Sequence, residues 1–182
     1  MNYTKNILTI VTISTSISSC GHTNKKEQIK MDIDKILEIE DETSAITELD
    51  TKLNEISNYG EEIERLTESQ KIVLLVENLE TEINNGGFNQ FFFNSSGDFT
   101  HETITALKTI KAFKTADIVS KSISVWPNQN VPKERVRRQA ILENIVEKAD
   151  VVWNECDEEF YKYEDNITKL LFDYVKANKS DF

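Results

Sequence analysis

Glu82-Ile83-Asn84-Asn85-Gly86-Gly87-Phe88-Asn89-Gln90-Phe91-Phe92-Phe93-Asn94-Ser95 is the stretch on which the fold turns. An apolar helical face runs into it and stops at two consecutive glycines, which permit a tight reversal that side chains forbid. Four phenylalanines within six residues then give a short helix a large apolar surface, about 150–250 Å² per ring. Asn85, Gln90 and Asn94 lie close enough to hydrogen-bond the exposed backbone ends on either side of the reversal. Two readings follow. The stretch is an aromatic helix-turn-helix corner, or Glu82, Asn85, Gln90 and Asn94, joined by His101, line a polar pocket.

Outward from this corner the periodicity is helical in both directions. Upstream, Thr67-Glu68-Ser69-Gln70 fits a capping box and opens a helix with Ile72, Leu75, Val76, Leu79 and Ile83 on one face. Before it, Ile46, Leu49, Leu53 and Ile56 form a stripe with Ser44 as expected N-cap and Asn58-Tyr59-Gly60 as stop, preceded by a short helix over Ile33, Ile36 and Leu37. Downstream, Ser95-Ser96-Gly97-Asp98 turns the chain, and Thr100 is expected to cap a helix carrying Ile104, Leu107, Ile110 and Phe113. Thr115 is expected to cap the next, with Ile118, Val119, Ile123 and Trp126, stopped by Pro127. Pro132 is expected in the first turn of a long helix through Val136, Ala140, Ile141, Ile145 and Val152. A last helix carries Ile167, Leu170, Leu171, Tyr174 and Val175. No alternating strand or internal repeat is visible. The expected class is all-α, a compact domain of about six to eight helices.

Composition narrows the function. The 182 residues carry a net charge of −11, which disfavours direct nucleic-acid binding, because phosphates need cations opposite them. The charge is unevenly spread: residues 32–80 sum to −11, residues 81–149 to +2 and residues 150–182 to −5. Glu61, Glu62 and Glu64 in front, with Asp157, Glu158, Glu159, Glu164 and Asp165 behind, are the candidate acidic surface. The basic run Lys133-Glu134-Arg135-Val136-Arg137-Arg138 reads as the solvated face of a helix start, or as a contact for anionic lipid headgroups.

No catalytic residue, metal site or cofactor is expected. Cys156 falls between Trp153 and Phe160 on an apolar helical face, where a buried inert thiol is expected. Neither a metal-ligand spacing nor a phosphate loop is present.

The first residues read as a compartment signal. Lys5 precedes an uncharged stretch from Ile7 to Ile17, followed by Ile17-Ser18-Ser19-Cys20-Gly21. The stretch is too short to span a bilayer, which takes about 20 residues, but suits a signal peptide. Its end resembles the lipobox of bacterial lipoproteins, with Cys20 as the lipidated residue. The expected organisation is a signal peptide over 1–19, a polar tether over 20–30, an acidic helical segment over 31–66 and a helical domain over 67–180. The expected location is the cell envelope, with a cytoplasmic chain as the alternative.

Asn85-Gly86-Gly87-Phe88, Gln90-Phe91-Phe92, Asn94-Ser95, Gly97, Ala106-Leu107-Lys108, Trp126-Pro127 and Val131-Pro132 together resemble a bacterial DNA-mimic-protein-like family, otherwise known as a domain of unknown function. The resemblance covers roughly residues 67–178 and implies a helical fold. It also implies an activity seen in one member, which occupies a transcription factor in place of operator DNA. The leading expectation is a non-enzymatic, acidic protein–protein interaction domain, tethered to a membrane through Cys20, with an unknown protein as partner and a homodimer left open. The alternatives are a cytoplasmic DNA mimic and, behind it, an uncharacterised enzyme using the corner pocket.

Overall fold

The computed structural model describes residues 31–182. The signal-like stretch, Cys20 and the tether lie outside the described residues. Among these there are seven α-helices: α1 (Ile33–Leu37), α2 (Glu42–Ile56), α3 (Glu68–Phe93), α4 (Thr100–Thr109), α5 (Phe113–Ile123), α6 (Arg135–Phe160) and α7 (Ile167–Ala177). The protein is all-α, as the periodicity implies.

Local chemistry sets most of the boundaries. The capping box forms as expected: the Thr67 hydroxyl accepts from Gln70 N–H at 3.2 Å, and Gln70 Oε1 accepts from Thr67 N–H at 3.0 Å. α2 stops where Asn58, Tyr59 and Gly60 all take positive φ. Other caps differ from expectation. Asp41, not Ser44, caps α2, accepting from Ser44 N–H at 2.8 Å. Thr100 is the first residue of α4 rather than its cap. α5 begins at Phe113, and Thr115 gives its N–H to Asp165 instead. Pro132 precedes α6, whose N-cap is Glu134, bonded to the N–H groups of Val136 and Arg137. That carboxylate offsets the basic residues crowding the positive end of the helix dipole.

α3 is broken at Gly86 and Gly87, and the chain doubles back there. Ser95 and Ser96 line a cavity with Asn78, and Phe99 lines it with Leu74, so the chain after the break runs antiparallel to the first arm of α3. α4 continues that path, its Thr109 sharing a cavity wall with Glu68 at the start of α3. α6 packs across α3 and α5.

One core unites these elements. Leu49 and Leu53 of α2, Val73, Val76 and Leu79 of α3, Leu107 of α4, Val119 of α5 and Leu171 of α7 are all fully buried in it. The acidic segment 31–66 therefore shares its core with the rest. α6 faces inward through Arg138, Leu142, Ala149, Trp153, Cys156 and Phe160. The expected stripe was out of phase at its start, since Val136 is 73% exposed and Ala140 is exposed.

Candidate functional site

The corner is built around two carboxylates. Gly87 has φ 71° and ψ −171°, a region essentially restricted to glycine. A Cβ there would meet Asp157 Oδ2 at 2.2 Å, because the Asp157 carboxylate reaches over from α6 to accept Phe88 N–H at 2.9 Å. Asp157 thus caps the second arm of α3. Burial raises its pKa and the Phe88 bond opposes that rise. Glu82 is the second carboxylate. Its Oε2 accepts from Gln90 Nε2 and Asn94 Nδ2, each at 2.8 Å, and its Oε1 accepts from Ser96 Oγ at 3.1 Å. Tyr161 donates to Ile83 O at 2.8 Å, and Tyr163 bonds the Asn84 side chain.

Of the sequence-predicted pocket, Glu82, Gln90 and Asn94 come together and bind one another. Asn85 is exposed on another wall, and the His101 ring accepts from Val131 N–H at 3.4 Å. Phe88, Phe91 and Phe92 are fully buried; the Phe92 ring lies 5.2 Å from Trp126 and 5.3 Å from Trp153. Phe93 turns outward. The corner is a packed joint in which the polar side chains are consumed.

Arg138 locks the other end of this joint, and it is completely buried. Its Nε donates to Phe92 O at 2.6 Å, its Nη1 to Pro132 O at 2.9 Å and Lys133 O at 3.0 Å, and its Nη2 to Asn94 O at 2.7 Å and Asp98 Oδ1 at 2.5 Å. All five guanidinium N–H groups are used. One of the acceptors, Phe92 O, is a carbonyl that the end of α3 leaves without a helical partner, and another, Asn94 O, also accepts from Gly97 N–H at 3.2 Å. A Cβ on Gly97 would stand 2.8 Å from Arg138 Nε, so glycine there gives the guanidinium room. The expected solvated basic face holds for residues 133–137, where Lys133 pairs with Glu102 and Arg135 with Asp98 at the surface and Arg137 is exposed; Arg138 alone departs from it and is internal.

The candidate acidic residues divide. Glu61, Glu64, Glu158 and Glu164 are exposed. Glu62 pairs with Arg65, and Glu159 joins Glu155 on Lys121 at 2.9 and 3.1 Å. Asp157 holds the corner, and Asp165 caps α5 through Thr115 N–H at 2.8 Å. The long helix adds three carboxylates that the candidates missed, Glu143, Glu147 and Asp150, in line with the candidate Glu158. Glu143, Glu147, Asp150, Asn154 and Glu158 recur every three or four residues on the solvent side of α6, opposite the face that carries Trp153. These four carboxylates span about 22 Å along the helix, and none forms an ion pair among the described residues. Val136 and Val151, 73% and 65% exposed, stand beside them.

A family model described as DMP19-like protein matches residues 64–178. The chain belongs to the DMP19-like protein family. No curated protein and no solved structure matches it. The family match takes in the corner, the Arg138 clamp and the α6 stripe, and leaves α1 and α2 outside.

At the boundary of the DMP19-like region, α2 meets α3 and α7 over a polar cavity of about 340 Å³ lined by Thr47, Glu77, Glu80, Thr81, Asn84 and Asn85, among others. Burial, followed by the negative charges of Glu80 and Asp50, pushes Glu77 up to about 8. Burial pushes Asp50 to about 6 against its bond with Asn54, and raises Glu80 against its contact with Tyr163. Among the described residues no group of histidine, cysteine and carboxylate side chains is arranged to hold a metal ion. Cys156 is buried and its thiol is pushed up to about 11, chiefly by desolvation.

Proposed function

We propose that this member of the DMP19-like family is a non-enzymatic docking domain whose acidic α6 face engages a cationic surface on a protein partner, and that a lipid on Cys20 holds it at a bacterial membrane. One observation carries the docking reading. α6 presents four carboxylates in register on its solvent side, while most other acids near cations are already paired or cap a helix. Free carboxylates on a rigid helix keep their order without a partner, so little conformational entropy is lost on docking. Val136 and Val151 add apolar contact at the edge of the charged stripe.

The same stripe favours a second reading, a cytoplasmic DNA mimic, because a cationic groove shaped for phosphates also accepts a row of carboxylates. Family membership supports this reading, and the lipobox-like Ile17-Ser18-Ser19-Cys20 opposes it.

Affinity capture from the native cells tests both, using wild type beside Glu143→Gln/Glu147→Gln/Asp150→Asn/Glu158→Gln. The expected result is a partner held by wild type, released by salt and absent from the variant. An envelope protein as partner supports the tethered form, and a DNA-binding protein supports mimicry. Identical retention by both proteins would refute the α6 face as the docking surface.

A further inference from the structure

One end of the molecule gathers the point where the tether enters and a cationic corner. Thr67 and Ser69 at the start of α3 bond Asp181 at 3.0 and 2.7 Å, and Lys179 pairs with Asp34. Met31 and Phe182 line one cavity of about 740 Å³. Thr105 and Thr109 of α4 share another, of about 360 Å³, with Glu68 and Lys71. Residue 31, the start of α3 and the end of α4 therefore lie at the same end.

From this end the α4–α5 turn projects Lys108, Lys111 and Lys114, all exposed, with Phe113 57% exposed among them. Lys111 takes φ 69°, which closes α4, and Ala112 after it is fully buried. None of these three lysines forms an ion pair among the described residues. Neighbouring acids are mostly engaged: Asp34 with Lys179, Glu68 with Lys71, Asp181 with Ser69 and Asp165 with Thr115 N–H beside Lys114, while Glu164 next to Asp165 is exposed and Asp117 lies one turn beyond Lys114. Of the cations weighed for lipid contact on residues 133–138, Lys133 and Arg135 are in surface ion pairs with Glu102 and Asp98, Arg138 is internal, and Arg137 alone is exposed without an ion pair among the described residues.

We infer that the Lys108–Lys114 corner docks on the anionic phospholipid surface of the membrane to which Cys20 tethers the chain, with Phe113 inserted at the headgroup boundary. The location of that surface rests on the tether reading above. An aromatic ring ringed by unpaired ammonium groups matches the interface of an anionic bilayer, where the ring meets acyl chains and the cations meet phosphates. A chain of net charge −11 is otherwise repelled by that surface, and screening over about 8 Å leaves the local cations to decide which end approaches. The lipid supplies attachment and the corner supplies orientation.

Vesicle co-sedimentation tests this with the full chain carrying Cys20→Ser, so that residues 1–30 contribute equally in every variant. Vesicles of phosphatidylcholine alone are compared with vesicles containing phosphatidylglycerol. Lys111→Gln/Lys114→Gln is expected to weaken partitioning onto the anionic vesicles about 25-fold. Arg137→Gln/Lys148→Gln, which removes the same charge elsewhere, should stay close to wild type, and Phe113→Ser should weaken binding without altering its salt dependence. Equal losses for the two double variants, or equal binding to neutral vesicles, would overturn the inference. Intact mass of the native protein checks Cys20 separately. An unlipidated chain with corner-dependent vesicle binding fails the tether alone, and a lipidated chain without it fails the corner alone.

Discussion

Gly87→Ala is the sharpest perturbation of the corner. At φ 71° and ψ −171° a non-glycine residue costs about 1–3 kcal/mol of backbone strain. The added methyl would also stand 2.2 Å from Asp157 Oδ2, so the carboxylate must leave Phe88 N–H. Losing that charge-assisted bond adds about 1.5–3 kcal/mol, for a total of about 2.5–6 kcal/mol. That is a large share of a typical stability of about 5–15 kcal/mol. Denaturant unfolding followed by tryptophan fluorescence reads it directly, since Trp126 and Trp153 pack on Phe92 beside the corner. Asp157→Ala alone should cost less, because it removes the cap without straining the backbone. The double variant should cost less than the sum of the two, since Asp157→Ala removes both the obstacle and the bond that Gly87→Ala breaks. A Gly87→Ala protein within about 0.5 kcal/mol of wild type would refute this account of the reversal.

Arg138→Met removes five hydrogen bonds, to Asp98 Oδ1 and four carbonyls, and should cost about 3–5 kcal/mol by the same assay; Arg138→Lys should recover only part, because an ammonium cannot reach five acceptors. Glu77 binds a proton in the folded state up to about pH 8, whereas its ordinary value is 4.5, so the folded chain holds protons that the unfolded chain has released. Stability should therefore fall as pH rises across that window, and Glu77→Gln should flatten the fall in a series of melting temperatures. Neutralising Glu143, Glu147, Asp150 and Glu158 should leave stability within about 0.5 kcal/mol, because these exposed groups form no ion pair among the described residues; a large loss would assign them a structural role.

What was legible in the sequence is what local chemistry decides. The Thr67–Gln70 capping box and the Gly86-Gly87 break need only neighbours within a few residues, and both form as read. Caps supplied from afar were hidden: Asp157 serves Phe88 and Asp165 serves Thr115 across 69 and 50 residues. Arg138 was hidden for another reason, since charge argued for the surface while periodicity argued for the core. It lies in phase with Leu142, Ala149, Trp153, Cys156 and Phe160, and following that phase would have exposed both the clamp and the opposite acidic stripe. The raised pKa values of Asp50, Glu77 and Glu80 depend on how α2 lies against α3, which no single stretch encodes.

Site-specific crosslinking in the native cells tests the docking claim most directly, with a photoreactive residue at Asn154, in the middle of the α6 stripe, and another at Glu38, away from it. The account predicts a covalent adduct from position 154 through a cationic surface of one protein, lost on Glu147→Gln/Asp150→Asn and absent from position 38. An adduct that survives that neutralisation, or one that forms only from position 38, would contradict it.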